Sequence, residues 1–180
     1  GLINNYQLNH ILDEQFLDDI DDLIAGHPSL DANELETPAL EKHINEIIEN
    51  PSTPGDLLHK LFTRHQEDDF ILAVIASHPH LQDNTAKDLY ALSNPMITEM
   101  LAANTQTPSV ILHSMCLTAL EDGDHLSLQS VAKNTNTDSN TLSLLWQERD
   151  PSNKDILNNL LENPSHSLDT FAEMMQEPEH

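Results

Sequence analysis

A short phrase recurs along this chain at nearly even spacing, and it limits the possible folds more than any other feature. The phrase is an apolar residue, two spacers, Asn or His, and then usually Pro or Thr, as in Ile47-Ile-Glu-Asn50-Pro51. The Asn or His positions, called anchors below, are His27, Asn50, His78, Asn104, Asn134 and Asn163. They are separated by 23, 28, 26, 30 and 29 residues, which indicates an internal repeat.

Two columns of apolar residues keep the same register as the anchors. Eight residues after the anchors lie Leu35, Leu58, Ala86, Leu112, Leu142 and Phe171. Eleven residues after them lie Pro38, Leu61, Leu89, Met115, Leu145 and Met174. Because positions i and i+3 share one face of a helix, the columns predict a buried helical face in each repeat. The alternative is a plain helical bundle in which these residues recur by chance.

The anchors are predicted to end helices. A residue before Pro is driven out of the α region, and Asn can hydrogen-bond to its neighbouring backbone, so the chain should turn at Asn50. A new helix is then predicted to begin, with Thr53 as a hydroxyl cap and Pro54 at the first helical position. Thr107 repeats this start.

Each repeat also contains a second break. Asn94-Pro95 and Asp150-Pro151 lie ten and thirteen residues before the next anchor, and residues 121–124 form a similar Gly-containing turn. Pro within a helical pattern ends the helix near the preceding residue. We therefore expect two helical pieces per repeat, one of about ten residues and a shorter one.

Three segments resemble the leucine-rich repeat variant (LRV) family of bacteria: IIENPSTPGDLLHKL, LAANTQTPSVILHSM and LLENPSHSLDTFAEMM. The resemblance covers about residues 23–175, and the units here are longer and less even than the family's. It implies that an α-helix alternates with a short 3₁₀-helix in a right-handed superhelix without strands. It implies a surface for partners and supplies no active-site residues. The single Cys116 excludes the cysteine-ligated iron–sulfur module of some members.

The combined prediction is an all-α protein with no β-sheet, a right-handed α-solenoid (superhelix) of about six short two-helix repeats. Residues 1–26 are predicted to form an acidic capping helix, and residues 27–180 a single continuous repeat domain. The first residue is Gly1 rather than Met, which suggests a tag remnant or a trimmed terminus.

The charge excludes some classes of partner. Lys and Arg number 7 and Asp and Glu 31, a net charge of −24, whereas contacts to phosphate need a basic footprint. We therefore expect neither a nucleic-acid partner nor an anionic membrane. Apolar residues recur every three to four positions among acids from about residue 10 to Ala25, which predicts an amphipathic helix. Its acids are candidate partner-binding residues, or simply a solvated face: Asp13, Glu14, Asp18, Asp19, Asp21 and Asp22.

The eleven histidines invite a metal hypothesis, which the spacing does not support. His78 and His80 are the closest pair, with His59 and His65 in the preceding repeat, but no His-Glu-x-x-His motif occurs. His78 occupies an anchor position, so backbone capping is its expected role. We predict no metal and no cofactor.

Other candidates have simple structural explanations. Cys116 follows Met115, a core position, and should be a small buried residue rather than a nucleophile paired with His113. Residues 121–124 lack the order of a calcium loop. Trp146 follows the core position Leu145 and should pack, with an exposed partner anchor as the alternative.

The sequence leaves two functions open, and neither is enzymatic. The first is a protein-interaction scaffold in the bacterial cytoplasm, binding a basic protein or peptide through its repeats. The second is an acidic inhibitor, antitoxin or nucleic-acid mimic that blocks a basic nucleic-acid-binding protein. A generally acidic proteome would also explain the charge without any specific ligand.

Overall fold

The structure, a computed structural model, describes residues 44–167 and Ala172. This part of the chain forms nine α-helices and no β-strand, which confirms the predicted all-α class. The helices are α1 (Ile44–Glu49), α2 (Gly55–Arg64), α3 (Asp69–Ser77), α4 (Asp83–Ala91), α5 (Pro95–Ala103), α6 (Ser109–Asp122), α7 (His125–Lys133), α8 (Ser139–Gln147) and α9 (Lys154–Glu162). The predicted acidic capping helix and the anchor His27 lie outside the described residues.

The helices alternate between two sets that pack side by side. Helices α1, α3, α5, α7 and α9 each end at an anchor, and each contacts the next one in this order. Helices α2, α4, α6 and α8 follow the anchors; α2 contacts α4, and α6 contacts α8. We call the first set the pre-anchor helices and the second set the post-anchor helices. This packing is repeat-like.

The predicted apolar columns form the core between the two sets of helices. Every described member is buried, namely Leu58, Ala86, Leu112 and Leu142 in the first column and Leu61, Leu89, Met115 and Leu145 in the second. The apolar residue three positions before each anchor is buried as well, at Ile47, Ile75, Leu101, Val131 and Leu160. The columns are therefore confirmed wherever the structure describes them.

The prediction of one helix of about ten residues and a shorter one holds for α2 and α3, with ten and nine residues, and α6 and α7 also differ, with fourteen and nine. It fails for α4 with α5 and for α8 with α9, where both helices have nine residues. No 3₁₀-helix occurs in the described ranges, so the short 3₁₀-helix that the LRV resemblance implies is not what they form. Side-chain caps explain the full α-helices, since Asp68, Asn94, Asp124 and Asn153 each accept backbone N–H groups from the first turn.

The role predicted for Thr53 is wrong. Pro54, in an extended conformation, is the residue before α2, and its carbonyl accepts from the amides of Leu57 and Leu58. The buried Thr53 hydroxyl instead turns back and donates to the Ile47 carbonyl at 2.5 Å. A carbonyl in the last turn of a helix lacks an intrahelical partner, so this bond satisfies the Ile47 carbonyl at the end of α1.

Two other threonines make the same backward bond. Thr107 donates to the Leu101 carbonyl at 2.6 Å, and Thr137 donates to the Val131 carbonyl at 2.6 Å. Both side chains are fully buried. The hydroxyl three residues after the anchor therefore closes the preceding helix and does not start the next one.

The anchors end the pre-anchor helices, as predicted, and also join them. The Asn104 amide Nδ2 donates to the carbonyls of Ala76 and His78, at 2.8 and 3.0 Å. The Asn134 amide donates to the carbonyls of Ala102 and Asn104, at 2.8 and 2.9 Å.

The same arrangement continues at the last described anchor. The Asn163 amide donates to the carbonyls of Ala132 and Asn134, at 2.7 and 2.9 Å. We call this chain of bonds the anchor ladder. It fixes the C-terminal end of each pre-anchor helix against the end of the previous one, so equivalent positions along these helices come into line.

Candidate functional site

The pre-anchor helices carry a column of large exposed apolar residues. Phe70, Met96 and Leu126 are 57%, 43% and 75% exposed. Each lies eight residues before its anchor, at the second position of α3, α5 and α7. Because the anchor ladder holds these helices in register, the three side chains occupy equivalent places on adjacent helices. We call them the apolar column.

The apolar character continues one turn further along two of these helices. Val74 lies four residues after Phe70 and Met100 four residues after Met96, and both are half-buried against the core. Positions i and i+4 share a helix face. The outer face of α3 and α5 is therefore an apolar surface rather than three isolated side chains.

Acidic residues border this surface. Asp68 and Asp69 precede Phe70, Glu99 lies beside Met100, and Asp124 caps the helix that carries Leu126. Hydrogen bonds from the Ser127 hydroxyl and amide hold the pKa of Asp124 below its usual value, so this carboxylate stays ionised.

Basic residues are nearly missing from the same stretch of sequence. Between Arg64 and Lys133 the chain contains one Lys and no Arg, and that residue, Lys87, lies on the post-anchor helix α4. The apolar column is therefore set in a negative field over the length of α3 and α5 and most of α7.

The outer face is polar, not apolar, at α9. Asp155 occupies the position equivalent to Leu126, and Asn159 the position equivalent to Ser130. A polar groove of about 510 Å³ lies between α7 and α9, with Lys133 and Glu162 in its lining. The apolar surface is thus limited to the part of the stack formed by α3, α5 and α7.

The six acids predicted from sequence to bind a partner lie outside the described residues. They are Asp13, Glu14, Asp18, Asp19, Asp21 and Asp22. The apolar column was not predicted from the sequence. The signal that would have found it is the recurrence of Phe70, Met96 and Leu126 eight residues before three successive anchors.

His78 has the structural role predicted for it. Its Nε2 donates to the Asn50 carbonyl at 2.9 Å, and its Nδ1 accepts from the His80 amide at 3.0 Å. A neutral ring with its proton on Nε2 satisfies both bonds, so His78 replaces Asn in the anchor ladder. No cluster of His, Cys, Asp or Glu suited to a metal ion occurs within the described residues.

The His78 ring is expected to make the fold sensitive to mild acid. Burial, the largest influence, lowers its pKa from 6.5, and the nearby His80 adds to the lowering, while the bond to Asn50 opposes it. The folded state therefore binds fewer protons than the unfolded state. The stability that the neutral ring provides is present above about pH 6.5 and is lost as the pH falls through the lowered pKa.

His78→Asn should remove this part of the pH dependence, since Asn makes the equivalent bond at the other anchors. We expect urea unfolding between about pH 7.5 and 5.5 to show a smaller loss of stability for the variant than for the wild type. Equal losses in the two proteins would mean that His78 is not the titrating group.

Two further histidines join post-anchor helices in alternate repeats. The Nδ1 of His59 is hydrogen-bonded to Oγ1 of Thr85 at 3.1 Å, and the Nδ1 of His113 to Oγ1 of Thr141 at 2.9 Å. Both threonines are fully buried. These hydrogen bonds between post-anchor helices were not predicted from the sequence. The Leu-His pairs at 58–59 and 112–113 are the feature that would have indicated them.

Cys116 is a buried core residue, as predicted. It is fully buried in α6, and burial raises the pKa of its thiol to about 11. A neutral thiol is a poor nucleophile. His113, the base considered from sequence, has its Nδ1 bonded to Thr141.

The acidic turn at residues 121–124 is a helix junction. Gly123 has φ +69°, a left-handed conformation that suits glycine, and it ends α6. The Asp124 carboxylate then accepts from the amides of Leu126 and Ser127 and caps α7. A cavity of about 470 Å³ next to this turn is lined by Asp122, Asp124 and neighbours from α4 to α7. Helix capping already explains the Asp124 carboxylate there.

Trp146 packs against the core and is half-buried, in agreement with the packing role expected for it. The Arg149 guanidinium lies 3.6 Å from the centroid of its ring, a cation–π contact. The indole face is therefore covered from within the chain.

The chain matches no protein-family model, no curated protein and no solved structure. The LRV resemblance therefore stays a prediction. None of the helices in the described part of the chain is both long enough and apolar enough to cross a bilayer.

Proposed function

We propose that this protein is a non-enzymatic scaffold that binds a protein or peptide partner through the outer face of α3, α5 and α7. The observation that carries the proposal is the apolar column, in which Phe70, Met96 and Leu126 are exposed at equivalent positions of adjacent helices. Contiguous apolar surface costs free energy in water, and on soluble proteins it marks interaction sites. Repeat proteins bind partners across such extended faces.

The finer architecture is part of this proposal. We propose that the repeat-like packing continues toward His27 as a right-handed solenoid of about six LRV-like repeats in a cytoplasmic protein. The regular anchor spacing and the anchor ladder support this extension.

The charge supports a basic partner. The net charge is −24, and only Lys87 interrupts the stretch without basic residues between Arg64 and Lys133. Complementary charge speeds the encounter with a partner and disfavours acidic competitors. The alternative function, an acidic inhibitor or nucleic-acid mimic, is motivated by the net charge of −24 and by the acids of the N-terminal segment, and it stays a prediction.

A capture experiment with matched variants tests the scaffold. The variant F70S/M96S/L126S removes the column, and Val110→Ser is the control, because Val110 is 59% exposed but lies on the post-anchor helix α6. We expect the wild type and Val110→Ser to retain the same basic protein from a lysate, and the triple variant to lose at least about nine tenths of it.

The salt concentration is a second variable in the same experiment. Raising the salt from about 50 to 500 mM should reduce capture, since exposed charges are screened within a few ångströms at the higher concentration. Retention of the partner by the triple variant at the wild-type level would refute this binding face. All proteins should show the same thermal unfolding midpoint within a few degrees, because the substituted side chains are exposed.

A further inference from the structure

The apolar column also restricts what kind of segment can bind. Resting on the proposed function, we infer that the partner presents a basic amphipathic α-helix, which lies along the stack and crosses α3, α5 and α7. Three properties of the face carry this inference: its lack of free backbone groups, the spacing of its helices and its charge.

The column lies in the first turns of its helices, and the amides of Phe70, Met96 and Leu126 already donate to the capping side chains. No strand occurs within the described residues, so this part of the chain offers no sheet edge to which an extended peptide could add. A partner buried on the apolar column must therefore satisfy its own N–H and C=O groups. A helix does this, whereas an extended segment leaves them without partners.

The spacing of the column matches the heptad spacing of a helix. Packed helices lie about 8–10 Å apart, so Phe70, Met96 and Leu126 recur at about that interval along the stack. A helix rises about 1.5 Å per residue, so residues seven apart are separated by about 10.5 Å on one face. A helix of about 15 residues with apolar side chains in this register therefore contacts all three members of the column.

The acidic border selects the charge of that helix. Asp69, Glu99 and Asp124 lie beside the column, and Lys87 is the single Lys or Arg residue between Arg64 and Lys133. Lys and Arg flanking the apolar stripe would face carboxylates. A second copy of this chain fits poorly, because it brings the same net charge of −24.

A synthetic probe tests the inference on the full chain. The probe is a fluorescent helix of about 18 residues, with Leu at positions that repeat every seven residues and Lys, Arg and Ala elsewhere. One comparison peptide has the same composition with the Leu residues scattered, and another has Glu in place of Lys and Arg. Fluorescence anisotropy at low salt measures the three affinities.

We expect the patterned basic peptide to bind at least about tenfold more tightly than either comparison peptide. F70S/M96S/L126S should lower its affinity at least about tenfold, and the single variant Leu126→Ser about threefold, whereas Val110→Ser should change it less than about twofold. Glu99→Gln should weaken binding more than Glu148→Gln, since Glu148 lies beyond α8 and away from the column.

Several results would overturn the inference. Equal binding of the scattered peptide would show attraction by charge alone, and equal binding of the acidic peptide would remove the charge argument. Full binding by the triple variant would place the contact elsewhere. If the lysate partner still depends on the column while the patterned peptide does not bind, the scaffold stands and the helical partner is refuted.

Discussion

Replacing Asn134 by Ala is expected to lower the free energy of unfolding by about 3 kcal/mol. The Asn134 amide donates to the carbonyls of Ala102 and Asn104, and its Oδ1 accepts from the Asn136 amide at 2.9 Å. Asn134 is buried, so the truncation leaves polar backbone groups without partners in the protein interior. Urea unfolding followed by circular dichroism measures the loss.

Asn134→Asp distinguishes the hydrogen bonds from simple packing. Asp has the same shape as Asn, but at neutral pH its carboxylate oxygen would face the carbonyl oxygens of Ala102 and Asn104. We therefore expect Asp to destabilise at least as much as Ala, with partial recovery in acid where the carboxyl becomes a donor.

Asn140→Ala is the matched control for both variants. Asn140 lies on α8 in the same repeat and is exposed, so its truncation should change stability by less than about 0.5 kcal/mol. Losses at Asn134 no larger than this control would show that the anchor ladder contributes little to the fold.

Leu112→Ala should also destabilise the protein by about 3 kcal/mol. Leu112 is fully buried in the column eight residues after an anchor, and its truncation removes apolar contact and leaves a cavity between the two sets of helices. Thermal and urea unfolding measure the effect.

Leu117→Ala supplies the comparison within the same helix. Leu117 is 43% exposed on α6, so the same chemical change there should cost less than about 1 kcal/mol. Similar losses at Leu112 and Leu117 would contradict a core that lies between the pre-anchor and post-anchor helices.

The sequence was sufficient to predict the core and the helix ends. Leu58, Leu112 and Leu142 share a register with the anchors, and burial of apolar side chains at helical spacing is a local consequence of that register. Asn104 was likewise recognised as a helix end. Its long-range role was not, because bonds to Ala76 and His78 become visible only when the repeats are stacked.

Two predictions failed, one because a buried hydroxyl bonds back to the preceding helix and one because of helix capping. Thr53 before Pro54 looks like an N-cap, but the stacked arrangement buries its hydroxyl against the end of the preceding helix. The short 3₁₀-helix that the LRV resemblance implies is replaced in the described residues by nine-residue α-helices, and Asn94 and Asp124 cap the first turns of two of them. The composition shows that the chain is acidic. It does not show that Phe70 is exposed next to acidic residues.

The anchor ladder holds the stacked pre-anchor helices in register, and this register aligns the apolar column. Side-chain amide hydrogen exchange measured by NMR tests it most directly. The Nδ2 protons of Asn104, Asn134 and Asn163 should exchange far more slowly than those of the exposed Asn140, because each anchor amide donates to two buried carbonyls. Exchange of the anchor amides as fast as that of Asn140 in the folded protein would contradict the ladder and, with it, the aligned binding face.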